Sequence, residues 1–226
     1  QRAEGSGNFT DLVRIRERAD IITFHVPLQF AGEFATHHMV DDSFLEDLQK
    51  SPLLVNTCRG EVFDSGAVKN ALDSGSISGL IIDCWENEPE IDLELLKKAD
   101  LGTAHIAGYS RDGKAIGTMM SIRAVSRFFK LGIDDWQPTE VELPKQTLIQ
   151  LDGHKKDEES VLAEAVLATY DILADDKRLR AAAPGSFERL RGEYPVRREF
   201  HNYRIEARNV HKSTVSALKR MGFQLP

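Results

Sequence analysis

The chain predicts an α/β fold, part of a doubly wound parallel sheet followed by a smaller α+β unit. Three observations carry this expectation. Short, wholly apolar segments such as Leu53-Leu54-Val55 and Leu80-Ile81-Ile82 alternate with stretches of helical period, as strands covered by helices on both faces do. Pro27, Asn56 and Asp83 punctuate the ends of those segments, where sheets of this type bind ligands. Past His105 the alternation stops, and a long amphipathic stretch leads into a region with apolar residues of its own.

The elements follow in order. Asp11 to Ala19 suits a short helix, and Asp20 to Val26 reads as a buried strand stopped by Pro27. Ser43 and Glu46 have capping-box spacing, with Phe44, Leu45 and Leu48 forming the apolar face of a helix before the strand Leu53 to Asn56. Asp64 caps the next helix, which turns Ala67, Val68, Ala71 and Leu72 inward and closes at Gly75; Gly79 to Asp83 is the following strand. A helix from about Arg111 to Leu131 carries Ile116, Met119, Met120, Val125, Phe128 and Phe129 in one stripe, with the methionine pair expected in a core. Trp136-Gln137-Pro138 reads as a linker. Beyond it come a strand at Thr147 to Leu151 and helices at Glu158 to Leu173, Ser186 to Gly192 and Val210 to Met221.

With 226 residues, 41% of them hydrophobic, the chain is long enough to bury a core. A net charge of -7 argues against general binding to nucleic acid or anionic membranes, so neither is expected as a partner. No apolar run approaches the ~20 residues that cross a bilayer, and a cytoplasmic location is the default expectation. Cys58 and Cys84 each follow an apolar strand and read as reduced core thiols. His37 and His38 are adjacent, which is not metal-ligand spacing, and no metal is expected.

Chemistry concentrates in three motifs: Val55-Asn56-Thr57-Cys58-Arg59-Gly60, Ile82-Asp83-Cys84-Trp85-Glu86-Asn87-Glu88-Pro89, and Ala104-His105-Ile106-Ala107-Gly108-Tyr109. Oxidation of a 2-hydroxy acid requires a base for the hydroxyl proton and a cation for the carboxylate. An imidazole titrating near neutrality supplies the first and a guanidinium fork the second. Singly, each motif is equally a turn arginine, a pair of solvated loop charges and a satisfied loop histidine. In this order and spacing they resemble the active site of the NAD-dependent D-2-hydroxyacid dehydrogenases.

The resemblance implies a Rossmann-type domain with NAD as cofactor. It assigns Arg59, Glu88 and His105 as the catalytic residues, with Glu88 rather than Glu86 orienting the imidazole. Val26, Thr57, Cys58, Arg59, Asp83 and Gly108 fall at cofactor-lining positions, Asp83 against the nicotinamide carboxamide; the family often has Thr where Val26 stands. Arg59 and Tyr109 match substrate-contacting positions, although a tyrosine packed at an interface explains Tyr109 nearly as well.

The expected division is the C-terminal part of the NAD-binding domain at 1–103, a helix returning to the substrate domain at 104–131, and an appended domain at 132–226. The long appended region matches a branch of the family that acts on a small phosphorylated 2-hydroxy acid and forms a homodimer through that region. Glu193 to Phe200 resembles part of it. Arg197 and Arg198 are either phosphate ligands or solvated surface, the latter favoured by how common exposed arginines are. The opening on Gln1 reads as a chain whose beginning lies elsewhere, with the Gly-rich turn and most of the substrate domain expected before it, and this stretch alone is expected to be inactive. Three further readings stay open: another D-2-hydroxyacid dehydrogenase, a dehydrogenase-like NAD-sensing corepressor, whose tail is expected to be low-complexity, and a dimerisation module without NAD binding.

Overall fold

The structure is a computed structural model that describes residues 9–226. Its strands are β1 (Ile21–Phe24), β2 (Leu53–Asn56), β3 (Gly79–Ile82), β4 (Leu101–Gly102), β5 (Leu148–Asp152) and β6 (Arg204–Arg208). Its α-helices are α1 (Leu12–Arg18), α2 (Asp42–Glu46), α3 (Ser65–Ser74), α4 (Leu93–Lys98), α5 (Arg111–Phe129), α6 (Glu158–Thr169), α7 (Ile172–Ala182), α8 (Phe187–Gly192) and α9 (Lys212–Met221). The chain forms two compact units. The first runs to Ala107 and takes in Leu173–Gly192; the second comprises Gly108–Ile172 and Glu193–Pro226.

In the first unit β1 to β4 form a parallel sheet in sequential order, with Ile22 beside Leu54, Leu54 beside Leu80 and Ile82 beside Gly102. Parallel neighbours require a crossover, and the helical segments between strands supply it. Leu54, Leu80, Ile82, Val62 and Val68 are completely or almost completely buried in one core. The expected limits of α3 hold. Asp64 Oδ1 accepts the amides of Gly66 and Ala67, and Gly75 closes the helix at φ 76°. For α2 the cap is Asp41, not Ser43: the Asp41 carboxylate accepts the Phe44 amide, and Ser43 Oγ donates to that same carboxylate. A charged acceptor at the positive end of a helix outcompetes a hydroxyl.

The helix expected from Glu158 to Leu173 breaks. Tyr170 is extended at φ -158° and ψ 109°, and the chain restarts as α7, which sequence reading did not separate. The stretch 173–192 then belongs to the first unit, so the expected continuous domain at 132–226 is divided. Polar contacts account for this: Asp176 Oδ1 accepts the Gly102 amide of β4 at 2.8 Å, and Arg180 donates to the carbonyls of Leu96 and Ala99 where α4 ends. An edge strand and a helix C-terminus, each with orphan backbone groups, are satisfied by one face of α7. Leu179 and Phe187 are buried in the first unit's core.

The second unit pairs β5 with β6 in parallel, and Ile149, Leu151, Val161, Ala165, Tyr203, Ile205, Leu218 and Phe223 make its core. The α5 stripe is not core: Met120 is 64% exposed and Phe128 80%, while Met119 is only partly covered. The buried residues of α5 are polar, Asp112 and Ser126, because that face engages charged and loop partners. Arg198 is itself buried. Its guanidinium takes both Asp112 oxygens at 2.9 Å and also reaches the carbonyls of Val141 and Glu142, so its fork is committed internally and the phosphate-ligand alternative is excluded for it. Arg197 lies 4.4 Å over the Tyr170 ring.

Burial pushes the Asp112 carboxyl up, but hydrogen bonds from Arg198 and the Glu199 amide outweigh it and bring it to about 2, below the ordinary 3.8. A carboxyl depressed by folding stabilises the folded state above its unfolded pKa and loses that contribution as pH falls through the folded one. Acid unfolding followed by circular dichroism is therefore expected to show ~2 kcal/mol lost between about pH 4 and pH 2. An Asp112→Asn variant should be less stable near neutrality and lack that step.

Candidate active site

Four parallel strands end on the same edge of the sheet, and each strand end is followed by residues of interest. After β2, the buried Asn56 organises the turn: its Oδ1 accepts the Cys58 amide and its Nδ2 donates to the Arg59 carbonyl. This Asx-type closure presents Arg59 in an extended conformation, with one guanidinium nitrogen 2.6 Å from the Cys58 carbonyl. Gly60 follows because no side chain fits there. A Cβ at that position would lie 1.9 Å from the Trp85 carbonyl oxygen and 2.4 Å from the Glu86 amide nitrogen, so the Arg59-Gly60 turn packs directly on the loop after β3.

Within that loop Trp85 is 2% exposed, and its indole N–H donates to the Thr103 carbonyl beyond β4. The Trp85 amide donates to Glu88 Oε1 at 2.7 Å, and Glu88 Oε2 accepts His105 Nδ1 at 2.8 Å. Asp83 completes the fastening. Its carbonyl accepts the His105 amide, Oδ1 accepts Thr103 Oγ1 and the Ile106 amide, and Oδ2 accepts the Ala107 amide. Arg59, Glu88 and His105 thus stand on three consecutive strand-end loops joined through Gly60, Trp85 and Asp83.

With Nδ1–H donated to Glu88, the imidazole keeps Nε2 for a proton relay. His105 holds φ 50°, a left-handed conformation uncommon for a residue with a side chain. The second carboxylate of the loop does different work. Glu86 binds His38 Nε2 at 2.6 Å and the Ser65 amide at 3.2 Å; burial pushes its carboxyl up, and those two contacts outweigh it and leave it below the usual range. The sequence marks His38 only by its adjacency to His37, and its tie to Glu86, 48 residues away, has no local signal.

Both cysteines are buried and free. Burial, with Asp83 and Glu88 adding to it, pushes the Cys84 thiol far up, so it stays neutral and weakly nucleophilic. Of the remaining expected residues, Val26 packs against the core after β1 and Thr57 is partly exposed. Gly108 and Tyr109 belong to the second unit, where Tyr109 meets the edge of Tyr194 and lies under Lys114 Nζ at 3.8 Å. Among the described residues no group of three or more His, Cys, Asp or Glu is arranged to hold a metal, and no helix is long and apolar enough to cross a membrane.

The family model for the D-isomer specific 2-hydroxyacid dehydrogenase NAD binding domain matches residues 1–107, the stretch that holds every loop just described up to Ala107. Over residues 1–107 the chain thus carries the NAD binding domain of the D-isomer specific 2-hydroxyacid dehydrogenase family. A second model, described only as a domain of unknown function, matches residues 142–222. An erythronate-4-phosphate dehydrogenase from Bacteroides fragilis is 46% identical over 91% of this chain and 56% of its own length. Proteins of the same name from Escherichia coli and Serratia proteamaculans are 37% and 38% identical over 96% of this chain and 57% and 58% of theirs. The chain therefore spans somewhat over half the length of these dehydrogenases.

Gly60→Ala tests the fastening of the arginine turn. The added methyl group must displace the Trp85-Glu86 backbone, with an expected loss of ~3 kcal/mol in chemical denaturation, larger than for Gly66→Ala, where the nearest atom is 3.2 Å away.

Proposed function

We propose that this protein serves in an enzyme that removes hydride from C2 of 4-phosphoerythronate to give the 2-oxo acid, within pyridoxal-phosphate biosynthesis. The observation that carries this reading is the Glu88–His105 pair at 2.8 Å, fastened beside the Asn56–Arg59 turn in a chain that carries this family's NAD binding domain. His105 Nε2 takes the C2 hydroxyl proton, and Glu88 fixes the ring and stabilises the cation that forms. Arg59 binds the substrate carboxylate as a fork and polarises the C2 oxygen.

NAD, when bound, accepts the hydride. Val26, Thr57, Cys58, Arg59 and Asp83 at the strand ends, with Gly108, would hold it. The donor set fits: Asp83 Oδ1 already takes two strong donors, whereas Oδ2 takes one amide and a thiol at 3.9 Å, which leaves it capacity for a carboxamide N–H. Tyr109 is the proposed further substrate contact. Assembly as a homodimer through the appended region and a cytoplasmic location belong to the same reading, and two free buried thiols are consistent with a reducing compartment. The corepressor alternative expects a low-complexity tail, whereas residues of β5, α6, β6 and α9 bury a core.

In the enzyme that turns over 4-phosphoerythronate, NADH formation followed by absorbance should show His105→Asn lowering kcat by about 10²- to 10⁴-fold. Arg59→Lys should lower kcat/KM for the acid by about tenfold or more, the value of a lost charge-assisted bond. Activity retained by both variants would remove the proposed roles.

A further inference from the structure

We infer that Arg191, at the end of α8, is a positioning residue for His105, and that the α7–α8 segment orients the acid/base histidine from outside the NAD-binding sequence. The inference rests on the proposed role of His105. At φ 50° that residue occupies a conformation costing roughly 1 kcal/mol or more, which persists only where neighbours hold it. The loop after β3 supplies four of the holding hydrogen bonds: the Asp83 carbonyl accepts the His105 amide, Glu88 accepts from the ring, and the Asp83 carboxylate accepts the next two amides. The fifth comes from elsewhere. Arg191 Nε donates to the His105 carbonyl at 3.3 Å, across 86 residues of sequence.

Arg191 is held in place by helices that are themselves anchored. Asp176 grips the Gly102 amide, Arg180 takes both Asp176 oxygens and the end of α4, and Leu179 and Phe187 are buried in the core. Two side chains, Asp176 and Arg191, therefore hold the segment three residues apart, at Gly102 and at His105. Leu179, Ala183 and Phe187 also line a pocket of about 360 Å³ together with Pro89 and Ile91, one and three residues after Glu88. The same segment thus reaches the His105 backbone directly and shares a pocket with the stretch that follows Glu88. Residues 173–192 lie wholly within the stretch matched only as a domain of unknown function.

The test uses Arg191→Met, Arg191→Lys and a control, Arg189→Ala, whose exposed guanidinium donates to Ser186 Oγ just before the same helix. In the active dehydrogenase, Arg191→Met should lower kcat about tenfold while the dissociation constant for NAD stays within about twofold, since misplacement of a reacting group costs rate more than binding. Arg191→Lys should recover part of that loss, and the control should match the parent. Amide hydrogen exchange at 104–107 gives a readout independent of turnover and should quicken about tenfold in Arg191→Met with the β2 and β3 amides unchanged. Unchanged kcat and unchanged exchange would overturn the inference, as would exchange that rises uniformly with a fall in melting temperature. Should Arg191→Met fail to fold, the Lys variant carries the same comparison, and parent-like values in it for both readouts would count against the inference. Failure of the proposed function is read separately: His105→Asn would keep its activity, while the exchange result would still report whether Arg191 holds the loop.

Discussion

Asp83 stands at the carboxyl end of β3 with 4% of its surface exposed, and its two oxygens collect a hydroxyl and two amides from the segment just beyond β4. Burying a carboxylate costs several kcal/mol unless donors replace its water, and each charge-assisted bond returns about 1.5–3 kcal/mol. The segment 103–107 is consequently fixed to β3 rather than free to turn away from the sheet. Since the His105 amide is bound to the Asp83 carbonyl as well, the imidazole is delivered to the loop that carries Glu88, five residues after Asp83. Adjacent parallel strands make this economical: two strand ends that neighbour each other in the sheet need only short loops to bring carboxylate and imidazole into contact.

The loop after β3 supports two histidine–carboxylate pairs, His38 with Glu86 and His105 with Glu88, one on each side of Asn87. Asn87 itself has φ 62°, which turns the chain between them. Their environments divide the labour. Glu86 also caps α3 through the Ser65 amide, and His38 donates its amide to the Glu61 carbonyl, so this pair ties the chain before α2 to the turn that bears Arg59. Glu88 spends one oxygen on its own loop and the other on His105. The first pair fixes the arginine side of the site and the second its histidine side.

Local rules made part of this architecture legible. β2, the limits of α3 between Asp64 and Gly75, and β3 are set by apolar runs and caps within a few residues, and those signals are in the sequence. The order of Arg59, Glu88 and His105 was legible as well, through resemblance. What was missed depends on partners distant in sequence. The β6 segment Arg204–Arg208 reads as polar because only one of its faces meets a core, and its pairing with β5 joins residues 56 apart, as Leu148 with Arg204. The methionine pair of α5 is expected in a core from the helical period, whereas burial is decided by what covers a face, and the face covered here is the polar one around Asp112 and Ser126. Arg198 looked like a surface arginine until Asp112, 86 residues away, absorbed its fork. Gly60, Trp85 and Thr103 carry the fastening of the site through backbone approach and carbonyl contacts that no motif spacing encodes.

The structural units and the matched sequence stretches do not coincide, and this has a consequence for assembly. The match at 142–222 is continuous in sequence, but 173–192 belongs with the sheet and the rest with β5 and β6. The edge strand β4 and the carbonyl of His105 are thus satisfied by donors and acceptors 74 and 86 residues further along. Closing loops of that length costs more entropy than pairing neighbouring strands does, so these bonds depend on the rest of the chain being ordered. The first three strands draw on nearby sequence, whereas the loop bearing the histidine takes its last constraint from α7 and α8, far along the chain. Order at His105 is therefore a property of the whole chain and not of the matched NAD-binding stretch alone.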